Sequence, residues 1–142
     1  MPYVDTSILV AYYCPEPMSD RVEALLLKTE RPAISDLTEV ELVSAVSRKI
    51  REKHLTVQDG NKIVLLFQAH IDDKRFRRLP VESKHFKMVK NWIAQFNTPL
   101  RALDALHLSL ASAAGLSLFT ADAHLKSSAD LLGISAFGIF EH

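Results

Sequence analysis

Five short segments with strand character alternate along this 142-residue chain with longer stretches of helical periodicity, and no linker interrupts the alternation. The candidate strands are Pro2–Asp5, Pro32–Ser35, Phe76–Val81, Leu116–Thr120 and Ile134–Phe137, each bounded by a turn or capping signal. Between them, 19–29 puts Val22, Leu25, Leu26 and Leu27 near one side, and 37–49 leads to Leu42, Val43, Val46 and Ile50. Residues 56–69 repeat Ile63, Val64, Leu66 and Phe67, and 83–96 repeat Phe86, Val89, Ile93 and Phe96, all at helical spacing. Thr98-Pro99 reads as an N-cap followed by a first-turn proline, opening a helix that Gly115 closes. Strands that alternate with helices imply crossover connections. The expected fold is therefore a single-domain α/β unit over 1–142, with a mostly parallel central sheet flanked by helices.

Composition narrows the class further. One cysteine, Cys14, leaves no internal disulfide framework and no multi-cysteine zinc cage. No apolar run approaches the ~18 residues of a membrane span, and no basic stretch precedes the first apolar run, so a cytoplasmic protein without membrane contact is expected. The formal net charge of zero conceals a division. Residues 1–47 carry three basic and eight acidic groups, 48–101 carry thirteen and five, and 102–142 carry one and four. The basic middle, with Lys74-Arg75-Phe76-Arg77-Arg78 at its densest, is either a set of solvated helix faces or a surface for an anionic partner such as nucleic acid.

Parallel sheets gather ligands beyond the carboxyl ends of their strands. Two acids stand at such ends, Asp5 after Pro-Tyr-Val and Asp122 after Leu-Phe-Thr-Ala. Either could serve simply as a helix N-cap. Glu41 follows Thr38 at capping-box spacing, and Glu39 could take either job, so the functional acid of this pair stays open. Asp104 is harder to explain structurally, because it interrupts an otherwise almost wholly apolar helical run, Leu100 to Leu108. A carboxylate buried there needs a cation, a proton or hydrogen-bond donors. His107, three residues on, could orient it or be an ordinary core histidine. If these acids converge, their oxygen-only donor set selects hard cations such as Mg²⁺ or Mn²⁺. The six histidines show no His-x-x-x-His spacing that would suit zinc.

Four pieces together resemble the PIN-domain ribonucleases, specifically the VapC-type toxins of bacterial and archaeal toxin–antitoxin pairs. They are Tyr3-Val4-Asp5-Thr6-Ser7-Ile8-Leu9, Leu37-Thr38-Glu39-Val40-Glu41-Leu42, Leu103-Asp104-Ala105-Leu106-His107-Leu108 and Phe119-Thr120-Ala121-Asp122. They occur in the family's order and cover essentially the whole chain. The resemblance implies that Asp5, Glu41, Asp104 and Asp122 form an acidic Mg²⁺ or Mn²⁺ site, with the hydroxyls of Thr6 and Thr120 beside it. It also implies a homodimer and a VapB-like antitoxin that blocks the site.

The expected activity is metal-dependent RNA hydrolysis by an endoribonuclease, with Arg48, Lys49 and Arg101 as candidate contacts to the RNA backbone beside Arg51, Lys53 and the 74–78 cluster. Residues Ile8, Val10, Tyr12 and Tyr13, with the helix from Ser19, are expected to be mostly core, although they could floor a groove for an antitoxin helix. A phospho-acceptor receiver domain would want adjacent acids after the first strand, and Thr6 follows Asp5. A haloacid-dehalogenase-type phosphotransferase would want Asp-x-Asp, and position 7 is serine. The remaining alternative is a catalytically silent PIN-like module that binds RNA or a protein partner.

Overall fold

Every strand of the sheet is parallel to its neighbours, as the alternation requires. The computed structural model describes residues 1–140. In chain order these form β1 (Pro2–Val4), α1 (Thr6–Tyr13), α2 (Ser19–Leu27), β2 (Ala33–Ser35), α3 (Asp36–Arg51) and α4 (Val57–Asp72). They continue with β3 (Arg77–Leu79), α5 (Ser83–Ile93), α6 (Ala102–Ala113), β4 (Ser117–Thr120), α7 (Ala123–Leu131) and β5 (Ala136–Gly138). The strand order is β3-β2-β1-β4-β5. Tyr3 pairs with Ala33 on one side and Leu118 on the other, which makes β1 the centre of the sheet.

The side-chain alternation of the strands divides the apolar residues into two cores. Tyr3, Ala33 and Leu118 face a core completed by Val89, Leu108 and Leu125 of α5, α6 and α7. Val4 and Ile34 face the opposite core, shared with Ile8, Val22, Leu42 and Phe67 of α1 to α4. Burial on both faces is why these strands read as continuous apolar runs. The chain order reverses across β1 and β4, so the crevice beyond their carboxyl ends is the switch point at which open α/β sheets bind ligands.

Several sequence expectations shift. The helix anticipated with Thr98 as its N-cap begins three residues later, at Ala102 with Arg101 as its N-cap. Leu100 is instead drawn into the core, and the Thr98 hydroxyl bonds Ser128. On α5 the expected apolar stripe is only half buried. Val89 packs inward, whereas Phe86 lies 55% exposed and His85 takes an inner position, and Phe96, beyond the end of the helix at Ile93, lies 89% exposed. The last strand starts two residues later than anticipated, at Ala136. As expected, Ile8 and Tyr13 are core residues.

Gly115 ends α6 at a φ of +69°, and a Cβ there would meet open space. The only cost of a side chain at this position is therefore the left-handed backbone. Gly115→Ala is expected to lower stability by about 1 kcal/mol, read as a reduced urea midpoint with an unchanged m value.

Candidate active site

The crevice at the switch point is built around a carboxylate that water hardly reaches. Asp5 is 3% exposed and caps α1, accepting a hydrogen bond from the Ile8 N–H at 3.2 Å on Oδ1. The same oxygen accepts from Ser7 Oγ at 2.5 Å, while Oδ2 accepts from Thr120 Oγ1 at 2.5 Å. Those two hydroxyls are themselves held by the turn after β4. Ser7 Oγ accepts from the Ala121 N–H at 2.8 Å, and Thr120 Oγ1 from the Asp122 N–H at 3.0 Å. Burial still pushes the Asp5 carboxyl above its ordinary range, against the pull of Ser7, Thr120, His107 and the Ile8 N–H. Capping and site formation are thus both served by one side chain.

Glu41 projects from α3 on the other side of the crevice. The anticipated capping box with Thr38 does not form, because the helix starts earlier. Thr38 Oγ1 accepts from the Ser35 N–H at 3.1 Å, which frees Glu41 for other partners. Its Oε1 accepts from Thr6 Oγ1 at 2.8 Å and bonds His107 Nε2 at 2.5 Å. Burial raises the Glu41 carboxyl, but His107 and Thr6 together outweigh it and hold the group below its ordinary range. Glu39 points elsewhere. Its carboxylate and that of Asp36 both pair with Arg78, one residue before the end of β3.

Asp104, in the first turn of α6, is half-buried and has no hydrogen-bond or ion-pair partner among the described residues. Burial raises its carboxyl first, and repulsion from Asp122 and Glu41 raises it further, only partly offset by His107 and Arg101. Asp122 caps α7 through Oδ1, which accepts from the N–H groups of His124 and Leu125 at 2.9 and 3.3 Å. His107 lies one turn from Asp104 yet bonds Glu41 and the Tyr3 hydroxyl, the latter at 2.7 Å through Nδ1. Of the two roles open to it in the sequence, orienting Asp104 is not seen, since its partner acid comes from a different helix.

No three His, Cys, Asp or Glu side chains among the described residues stand close enough to share one ion. Asp5 already spends both oxygens on internal donors. The donor chemistry nonetheless fits a hard divalent cation. Asp104 is an unpartnered carboxylate repelled by two neighbouring acids, and Glu41 Oε2 and Asp122 Oδ2 carry no bond of their own among the described residues. A cation held by oxygen ligands would relieve that repulsion.

Beside the acids opens a cleft of about 1170 Å³, whose walls include Thr6, Ser7, Glu41, Arg48, Arg51 and Phe140. Of the expected phosphate contacts, Arg48 lines this cleft. Lys49 does not, its ammonium being paired with Glu16. Arg101 is exposed at the head of α6 and close enough to lower the Asp104 carboxyl. Arg51, also a candidate in the sequence, lines the cleft as well, whereas Ser7 belongs to the site without having been singled out. The signal for Ser7 was present, since it is the third residue of the Asp-Thr-Ser run.

The sequence model of one family, described as the PIN domain, matches residues 3–131. No curated protein matches the sequence significantly. Among solved structures, FitAcB from Neisseria gonorrhoeae is 20% identical with a TM-score of 0.70, each chain covered over 97% of its length. VapC20 from Mycobacterium tuberculosis, a sarcin-ricin-loop-cleaving toxin, is 14% identical with a TM-score of 0.74, covering 90% of this chain and 95% of its own. DNA-bound VapBC from Salmonella typhimurium is 20% identical with a TM-score of 0.70, covering 97% and 98%. At these identities the structural likeness is one of fold.

The geometry separates the acids by their effect on stability. Thr120→Val strips Asp5 of one donor and leaves the Asp122 N–H unpaired, so it is expected to cost about 1–3 kcal/mol in metal-free urea unfolding. Asp104→Asn removes a repelled charge and breaks no bond. Its unfolding midpoint is expected to equal or exceed that of the unaltered chain under the same conditions.

Proposed function

The chain belongs to the PIN-domain family, and on that footing we propose that it is a Mg²⁺- or Mn²⁺-dependent endoribonuclease serving as the toxin of a toxin–antitoxin pair. The observation that carries this reading is Asp104. It is a half-buried, unpartnered carboxylate repelled by Asp122 and Glu41, set at the sheet's switch point beside a large cleft. A bound cation would relieve that repulsion and give the unpartnered carboxylate a ligand role.

Asp5, Glu41, Asp104 and Asp122 are the residues that would hold the ion, directly or through water. When bound, a hard divalent ion supplies an activated water and offsets charge on the phosphodiester oxygens. The chain's own groups do the rest. Thr6 and His107 keep Glu41 ionised and fixed in orientation. Ser7 and Thr120 hold Asp5 against the turn that carries Asp122. Arg48 and Arg51, on the cleft wall, attract the phosphate backbone without reading sequence. Water rather than the ribose 2′-hydroxyl is the attacking group, so the products carry 3′-hydroxyl and 5′-phosphate ends.

Several neighbours in fold are described as toxin–antitoxin complexes, among them one from Klebsiella pneumoniae and VapBC-5 from Mycobacterium tuberculosis. Together with the family membership, this supports an antitoxin partner; that it is VapB-like and covers the cleft, that the toxin is a homodimer and that it acts in the cytoplasm are parts of the proposal. The cleft also has apolar walls, among them Val10, Met18, Leu37 and Val40, that suit a peptide segment. None of the helices among the described residues is long and apolar enough to cross a membrane. A second reading, a silent module that binds without cutting, is favoured by one observation: both oxygens of Asp5 are already committed to internal donors.

Cleavage of an RNA pool by the purified chain tests the proposal. Cutting is expected with Mg²⁺ or Mn²⁺, to disappear with EDTA, and to fall about a hundredfold or more in Asp104→Asn. Cyclic-phosphate ends or EDTA-resistant cutting would overturn it, and metal uptake without any cleavage would favour the silent module. Binding to the same RNA in EDTA is expected to weaken in an Arg48→Ala/Arg51→Ala double variant and to hold in Lys49→Ala.

A further inference from the structure

We infer that His107, held from behind by the Tyr3 hydroxyl, is a positioning residue that fixes Glu41 for metal binding. This deepens the proposed nuclease reading and rests on it. Three elements from both layers of the fold meet here. Tyr3 comes from β1, His107 from α6 and Glu41 from α3. Both ring nitrogens of His107 are used, Nδ1 with the Tyr3 hydroxyl at 2.7 Å and Nε2 with Glu41 Oε1 at 2.5 Å. The ring is 2% exposed, so water does not compete for either bond.

The hydrogen-bond balance gives each group a role. Nε2–H donates to Glu41, and in a ring carrying a single proton Nδ1 accepts from the Tyr3 hydroxyl. The phenolic oxygen in turn accepts from the hydroxyls of Ser35 at 3.0 Å and Thr38 at 3.2 Å. Thr38 Oγ1 accepts from the Ser35 N–H, so its own proton is free for Tyr3. The line therefore runs from the end of β2, through the central strand, to the acid. Thr6 and His107 both bond Oε1, which leaves Oε2 as the Glu41 oxygen without an internal partner.

An ordinary core histidine would need only to be satisfied. This one instead bonds an acid of the other layer at the mouth of the cleft. A carboxylate held in one rotamer loses less freedom when it ligates an ion, which is how hydrogen bonds behind a ligand raise affinity. Asp104 shares a helix with His107 but makes no hydrogen bond to it, so the effect is directed at Glu41.

The test is Mn²⁺ binding to the RNA-free chain by calorimetry, with thermal unfolding measured alongside. His107→Asn places its amide near Nδ1, out of reach of Glu41, and is expected to weaken Mn²⁺ binding by about 10–100-fold. His107→Gln places a donor near Nε2 and is expected to recover most of that loss. Tyr3→Phe keeps the buried ring, removes the hydroxyl and is expected to weaken binding in the same direction by less. If all three variants lower the melting temperature while Mn²⁺ affinity stays at the unaltered value, His107 is a structural core residue only and the inference fails. Should His107→Asn not fold, Tyr3→Phe decides alone, and unchanged affinity there overturns the positioning role. An unaltered chain that takes up no Mn²⁺ overturns the metal site itself, an outcome distinct from either of these.

Discussion

A carboxylate sealed from water at the end of the central strand organises everything around it. An isolated charge in that position would be prohibitively costly, so the chain must bring donors to it from several directions. For Asp5 these are its own helix N-terminus, through Ile8, and the hydroxyls of Ser7 and Thr120. Because Ser7 and Thr120 also receive the N–H groups of Ala121 and Asp122, satisfying one carboxylate locks the β4–α7 turn to the β1–α1 turn. The two turns bracket the crevice where chain order reverses. A fold requirement and a site requirement are here the same set of hydrogen bonds.

The remaining acids show how the surroundings sort carboxylates of one chemical type into different jobs. Glu39 is neutralised by Arg78, and Glu16 by Lys49, so both are spent on structure. Glu41 is kept ionised by a histidine and a threonine. Asp122 has its own helix N-terminus. Asp104 has no hydrogen-bond partner among the described residues, and burial with the like charges of Asp122 and Glu41 outweighs the pull of His107 and Arg101. Natural sequences tend to place local conflicts of this kind where function needs them and to be consistent elsewhere.

Much of this could be read in the sequence because it rests on local rules. Alternating strands and helices give a parallel sheet, and acids that follow strands then fall in its crevice. Local rules fail where long-range contacts win. Thr98-Pro99 has the chemistry of a helix start, yet burial of Leu100 delays the helix to Ala102. Thr38 and Glu41 have capping-box spacing, but Ser35 lies one turn earlier and captures Thr38. Helical spacing puts His107 next to Asp104, whereas its hydrogen-bond partners come from residues 66 and 104 positions away. Spacing identifies which residues share a helix face. It carries no information about what a different helix brings to that face.

The basic middle of the chain illustrates the same limit for charge. Arg75 pairs with Asp73 and Arg78 with Asp36 and Glu39, so much of the densest cluster is occupied in neutralising nearby acids. The cleft draws its positive charge instead from Arg48 and Arg51, in the last turns of α3, where the helix dipole also favours cations. Glu41 lies on the same helix seven residues before Arg48, which sets the two about 10 Å apart along its axis at a rise of ~1.5 Å per residue. One rigid element therefore spaces acid from cations. In the proposed nuclease these cations would serve affinity for a phosphate backbone, and the acids the chemistry.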